Sequence, residues 1–378
     1  MAPVKLWIPG PTFVRPEILA ELSQPMIGHR SSEMTELIER IDPGLRHAFS
    51  LDDNSPSRPA VASVSASGMM EAALLGAGDK ILAVVGGAFA KRWHDIALSL
   101  GKDVTLFEVE WGQPFDDARL ADVLDRQGPF DALLAVANET STGTRAPIKR
   151  ITEILQAFPD TLLMVDVVSL LGGAEFEFDP LCIDFAFAGV QKAFALPPGI
   201  SVFCISENYV ERAEDIEHRG WFLDALRIAD GHEQRSTPAT PCIPLYRALA
   251  KQVEDIAAGV VHGTGAPDSG ARGAWQARFD AHERMRDRTL AWARGHGMKP
   301  FPVEELCSPT VSCIRGDGLD IDAMRDGLKE RGFQISGGYG PLKGETFRVG
   351  HLGDHTEAEL EELLGAADEV LAGLGSRA

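Results

Sequence analysis

Six short apolar runs, at 81–85, 104–109, 132–137, 162–168, 185–188 and 201–205, alternate with stretches of helical period at 71–75, 91–100, 118–126 and 148–158. This alternation constrains the fold more than any other feature. The runs are continuously apolar, which is the pattern of strands covered on both faces. Parallel strands need long crossover connections, and helices supply them. The region therefore reads as an α/β unit with a mostly parallel sheet. After about residue 256 the pattern changes: a Gly- and Pro-containing loop at 262–271, a helix at 275–294, a strand at 310–314, a helix at 321–331 and an apolar run at 346–349. A last helix opens near Thr356, where Thr356 and Glu359 have the spacing of a capping box. A chain of 378 residues exceeds the roughly 250–300 that one core supports. The expected division is a large domain at 1–255, whose first 15 or so residues form an arm, and a smaller α+β domain at 256–378, with 373–378 as a frayed end.

Composition excludes several classes. A formal charge of -20 argues against nucleic acid, whose phosphates require a basic surface. No apolar run approaches the ~18 residues of a membrane span, and residues 1–11 lack the apolar core of a secretory signal. The five cysteines are scattered, without a CxxC pair, so neither a metal site nor a disulfide framework is expected. Reduced thiols in the cytoplasm are the plain expectation.

Two residues break the apolar pattern where breaking it is costly. Asp166 lies in Val165-Asp166-Val167-Val168, and a buried carboxylate needs a partner. Lys192 follows the next run after Gly189-Val190-Gln191. Apolar surroundings disfavour its ammonium form and so favour a nucleophilic amine. Neighbouring strand ends of an α/β sheet converge on one crevice, so both groups are expected to face one ligand. Pyridoxal 5′-phosphate requires such a pair, an amine for its aldehyde and an acid for its ring nitrogen. Taken alone, the two residues are explained equally well by a helix cap and a surface lysine. Ser67, Gly68 and Met69 open a helical run, where free amides and the helix dipole favour an anion or Ser simply caps the helix. Phe89 is a flat ring after a strand, fit either for stacking or for the core. Thr140 offers a hydroxyl after another strand, or a capped turn. Arg348 lies among apolar neighbours in a strand and must be paired, either with an internal acid or with a substrate carboxylate.

These segments together resemble the fold-type I pyridoxal-phosphate enzymes of the class V aminotransferase family, most closely the alanine–glyoxylate and serine–glyoxylate (serine–pyruvate) aminotransferases. The resemblance runs from Pro9-Gly10-Pro11-Thr12 through Gly28-His29-Arg30-Ser31, Val165-Asp166-Val167-Val168-Ser169, Gln191-Lys192-Ala193 and Leu196-Pro197-Pro198-Gly199 to the Arg348 strand. It implies a Schiff-base role for Lys192, a ring-nitrogen partner in Asp166, a ring contact for Val168 and stacking for Phe89. It implies cofactor contacts for Ser67, Gly68, Met69, Thr140 and Gln191, and substrate binding by Arg348 with His29 nearby. It also implies a homodimer with shared active sites, Thr240 reaching the neighbouring phosphate. Small amino acids and 2-oxo acids are the implied substrates. The segment at 337–343 resembles relatives that include phosphoserine aminotransferases, for which His29, Arg30, Arg235 and Lys343 are the available extra cations. Cysteine desulfuration by Cys313 and a non-catalytic subunit are the remaining alternatives.

Overall fold

A computed structural model describes residues 4–265 and 269–375. Part of the 262–271 loop and the end of the frayed segment, 376–378, lie outside the described residues, as do residues 1–3. The main sheet has seven strands in the order Arg58–Ala62, Ser201–Ile205, Phe185–Gly189, Leu162–Asp166, Ala132–Val136, Lys80–Val85 and Asp103–Glu108. The last five pair in parallel, whereas Ser201–Ile205 runs antiparallel to both neighbours. Both faces of the inner strands are buried, which is why their runs are apolar, whereas the edge strand Asp103–Glu108 is largely exposed. Leu82, Leu133, Leu163, Val165 and Ala186 enter one core cluster, with helices Ser32–Ala48 and Ile243–Ala257. Ile81, Leu134, Met164, Phe185 and Phe187 enter the other, with helices Ala66–Leu75 and Ala88–Ser99.

The second sheet is antiparallel, in the order Lys299–Pro300, Val311–Arg315, Thr346–Gly350, Ser336–Gly337. Its core includes Met285, Ile314, Leu328, Phe347 and Leu363, supplied in part by helices Gly270–Gly295, Ile321–Glu330 and Glu357–Gly375. The capping box forms: Thr356 N–H donates to Glu359 Oε2 at 3.1 Å, and Glu359 N–H donates to Thr356 Oγ1 at 3.3 Å. The N-terminal arm docks beside this smaller sheet and forms a separate two-stranded sheet there. Lys5–Leu6 pairs in parallel with Phe333–Gln334, and the fully buried Trp7 stacks on His355 with ring centres 3.9 Å apart. Among the described residues no helix is long and apolar enough to cross a membrane.

Candidate active site

The parallel strands place their carboxyl ends along one edge, and the candidate residues follow those ends. Asp166 closes Leu162–Asp166 and is buried. Its Oδ1 accepts a 2.8 Å hydrogen bond from Val168 N–H. Burial is the main force raising its pKa from 3.8 to about 7, helped by the charge of Glu139 and opposed by Val168 N–H, Lys192 and Arg92. Lys192 follows the adjacent strand Phe185–Gly189 by three residues. It is half-buried, and its Nζ donates to the carbonyl of Pro9 in the arm. Gly10 is required here: with φ at 111°, a Cβ would fall 2.5 Å from Lys192 Cδ.

Burial, helped by the charges of Arg348 and Arg92 and opposed by that of Asp166, lowers the Lys192 pKa from 10.5 to about 8. In cofactor-free protein the amine should therefore gain reactivity as pH rises to about 8 and then level off. An ordinary lysine would keep gaining to about pH 10. Borohydride trapping of a small aldehyde at Lys192, read by peptide mass across pH, checks this. A profile that only levels near pH 10 contradicts the shift.

Asp166 and Lys192 form no ion pair, yet each feels the other's charge. An acid and an amine that share a crevice without meeting suit a ligand that carries an aldehyde and a basic ring nitrogen. Ser65 caps helix Ala66–Leu75, its Oγ accepting from Gly68 N–H at 3.4 Å. Ser67 and Gly68 lie in the first turn, where amides lie ahead of the intrahelical ladder. The Met69 side chain is fully buried in the core, and its N–H donates to Ser65 O at 3.1 Å. Gln191 is half-buried and folds over Gly189, its Oε1 2.6 Å from where a Cβ there would stand. Val168 is half-buried beside the same core cluster.

Arg348 is 7 % exposed and, among the described residues, has no carboxylate partner. Its Nε donates to Gly337 O and its Nη1 to Thr140 O, both at 3.1 Å. The Thr140 hydroxyl donates to Ser169 Oγ at 2.8 Å, so Thr140 joins the arginine strand to the Asp166 loop. Phe89 stands between Arg92, 4.8 Å from its ring centre, and Tyr339, whose ring centre is 5.6 Å away.

Glu139 belongs to the site and was not singled out from sequence. It is buried, and its two oxygens accept from Phe89 N–H, Ala90 N–H, Ser141 N–H and the Ser141 hydroxyl. It thereby caps helix Ala88–Ser99 from another loop, since Gly87 at the cap has no side chain. A Cβ on Gly87 would lie 2.2 Å from Glu139 Cγ. The signal available in sequence was a glutamate three residues past a fully apolar strand.

Two candidates stand apart from this cluster. His29 is half-buried and makes no hydrogen bond or ion pair with any of these residues. Thr240 is exposed and lines a separate cavity of about 350 Å³ with Ser63, Val64, Trp221 and Phe222. Of the possible extra cations, Arg30 is bonded to Ser236 Oγ and Thr237 O, and Arg235 pairs with Asp42. Cys313 lies inside strand Val311–Arg315, 1 % exposed, and burial pushes its thiol up to about 11, which makes it a poor nucleophile.

The pattern of the family described as Aminotransferase class-V matches residues 60–256. An uncharacterised aminotransferase of Methanocaldococcus jannaschii is 32% identical over 98% of this chain and 93% of its own. The L-aspartate–glyoxylate aminotransferase of Paracoccus denitrificans is 30% identical over 98% of this chain and 91% of its own. The crystal structure of alanine–glyoxylate aminotransferase from Nostoc sp. superposes with a TM-score of 0.86 at 28% identity, covering 98% of this chain and 96% of that one. The chain is an aminotransferase with the fold-type I architecture and pyridoxal phosphate as cofactor. It belongs to the class-V aminotransferase family.

Proposed function

We propose that the protein moves an amino group from alanine or serine to glyoxylate or pyruvate by a ping-pong mechanism. The observation that carries this is the buried Arg348, without a carboxylate partner among the described residues, on the strand beside the Asp166 and Lys192 crevice. A buried guanidinium is costly unless paired, and a substrate carboxylate is its natural bidentate partner. Relatives named for aspartate and alanine as donors have glyoxylate in common.

Pyridoxal phosphate, when bound, supplies a reactive carbonyl and a ring that accepts electrons from the substrate's α-carbon. Lys192 would be the attachment point, and its amine, close to its pKa near neutrality, would take and return the α-proton. Asp166 would hold a protonated ring nitrogen, with Val168 and Phe89 against the ring. The helix opening at Ser67, Gly68 and Met69, with its free Ser67 amide and its dipole, and Gln191 would hold the phosphate. Arg348 would bind donor and acceptor carboxylates in turn, which is the structural basis for a ping-pong order.

Single-turnover mixing of cofactor-loaded protein with alanine, serine, aspartate and phosphoserine, followed by the cofactor's visible band, tests the donor. Fast conversion by alanine or serine is expected. Conversion by phosphoserine alone would move the function to that substrate. Arg348→Lys should raise KM for every donor about 10- to 100-fold, since it loses the bidentate geometry, and should lower kcat less. An unchanged KM would remove Arg348 from substrate binding. The same reading makes the protein a homodimer in which Thr240 serves the partner's site. The exposed Trp221 and Phe222, 55% and 53% accessible, support a covered surface there. A monomer in sedimentation equilibrium would refute it.

A further inference from the structure

Tyr339 takes no part in the chemistry above, yet it touches two of its residues. It stands between strand Ser336–Gly337 and the short helical turn Gly340–Leu342. The loop is folded tightly, since a Cβ on Gly338 would lie 1.9 Å from Leu342 O. The ring is 39% exposed, but it is not free. The Arg348 guanidinium carbon lies 5.6 Å from its centre. The Phe89 ring centre also lies 5.6 Å away, with the planes inclined by 31°. Phe89 is itself held by Arg92 and by its backbone bond to Glu139.

Tyr339 therefore spans the space between the carboxylate anchor and the helix that carries Phe89. Arg348 has committed its Nε and Nη1 to carbonyls, and its guanidinium packs on Tyr339. Three N–H groups remain, one on Nη1 and two on Nη2, so a carboxylate can bridge that edge in bidentate fashion, with the group attached to it beside the Tyr339 ring. Glycines flank the tyrosine in Gly337-Gly338-Tyr339-Gly340, so neither adjoining residue could replace its bulk.

We propose that Tyr339 determines specificity by limiting the size of the donor side chain. Its ring admits groups of the size of hydrogen, methyl or hydroxymethyl and excludes branched and aromatic ones. This rests on the transamination reading for what the substrate is, but not for the wall itself.

The test uses cofactor-loaded protein, wild type and the variants Tyr339→Phe, Tyr339→Leu and Tyr339→Ala. One readout is calorimetric affinity for unreactive monocarboxylates: acetate, propionate, 2-methylpropionate and phenylacetate. The other is the half-reaction rate with alanine, serine, valine and phenylalanine. Wild type and Tyr339→Phe should favour the small members by about 10-fold or more, the scale on which pockets resolve single methylene groups. Tyr339→Ala should abolish that preference, and Tyr339→Leu should reduce it part of the way. Loss of the ring under Arg348 should also weaken acetate binding by about 2- to 30-fold, the span of cation–π contributions. A Tyr339→Ala protein with the wild-type order and ratios overturns the proposal. If no donor reacts in any variant while the carboxylate preference still collapses in Tyr339→Ala, the wall stands and the transaminase reading fails.

Discussion

Lys192→Ala should purify without the cofactor's visible band and transfer amino groups at least about 10²- to 10⁴-fold more slowly, the usual loss when a general acid–base group is removed. The loss should be larger than for any other single change in the site, because one amine performs two tasks. It is the only lysine on the crevice edge beside Asp166 among the described residues whose pKa is clearly lowered. No neighbour can substitute. Arg348 and Arg92, the other cations that act on it, are guanidinium groups and carry no amine that could form the imine. Folding should survive the change, since Lys192 is half-buried and its one hydrogen bond is to the Pro9 carbonyl. A circular dichroism melt close to wild type therefore separates lost chemistry from lost structure. Methylamine supplied in solution should restore part of the rate. A Lys192→Ala protein with wild-type turnover would falsify the assignment of this lysine.

How much of this was visible in the sequence depends on how local each signal is. Strands such as Leu162–Asp166 and Phe185–Gly189 were legible because both of their faces are buried, so nearly every position is apolar. Asp166 and Lys192 stood out against that background. The strand Arg58–Ala62 was not read. It is at the sheet edge, antiparallel, and contains Pro59, the kind of residue that argues against an interior strand. Lys5–Leu6 is two residues long and exists only because Phe333–Gln334 comes to meet it. The same non-local logic hid Glu139, whose partners Phe89 and Ala90 are some 50 residues earlier. Arg278 did leave a trace. Trp275, Arg278, His282 and Met285 fall on one face of helix Gly270–Gly295, and all four are buried. A charged residue on a buried face implies a buried partner, though not which one.

That partner makes Asp354→Ala the most destabilising single change expected in this protein. The Asp354 side chain is 0% exposed and that of Arg278 is 2%. Asp354 accepts from Arg278 Nη1 at 2.9 Å, from Arg15 Nε at 2.5 Å and from Gln252 Nε2 at 2.9 Å. Removing the carboxylate leaves the buried Arg278 without a carboxylate partner among the described residues, while Arg15 keeps Asp255 at 2.9 Å, a loss of about 3–5 kcal/mol. For a chain of this size that should lower the melting temperature by roughly 4–6 °C. Glu361→Ala is the control. Its pair with Arg288 also has short bonds, 2.6 and 2.7 Å, but both side chains are about half exposed, and such pairs contribute only about 0–1 kcal/mol. The acid side gives a second reading. Burial alone would raise the Asp354 pKa, but Arg278 and Arg15 hold it below 3.8. Its contribution is then complete above about pH 4 and is lost as pH falls further, a loss that Asp354→Ala should no longer show. Activity should fall with stability even though Asp354 touches no substrate. Arg278 also donates to Ala193 O at 2.5 Å and to Gly172 O at 2.9 Å, so the residue next to Lys192 is held in place by the same guanidinium. Urea melts in which Asp354→Ala and Glu361→Ala lost equal stability would show that burial does not set the strength of these pairs here.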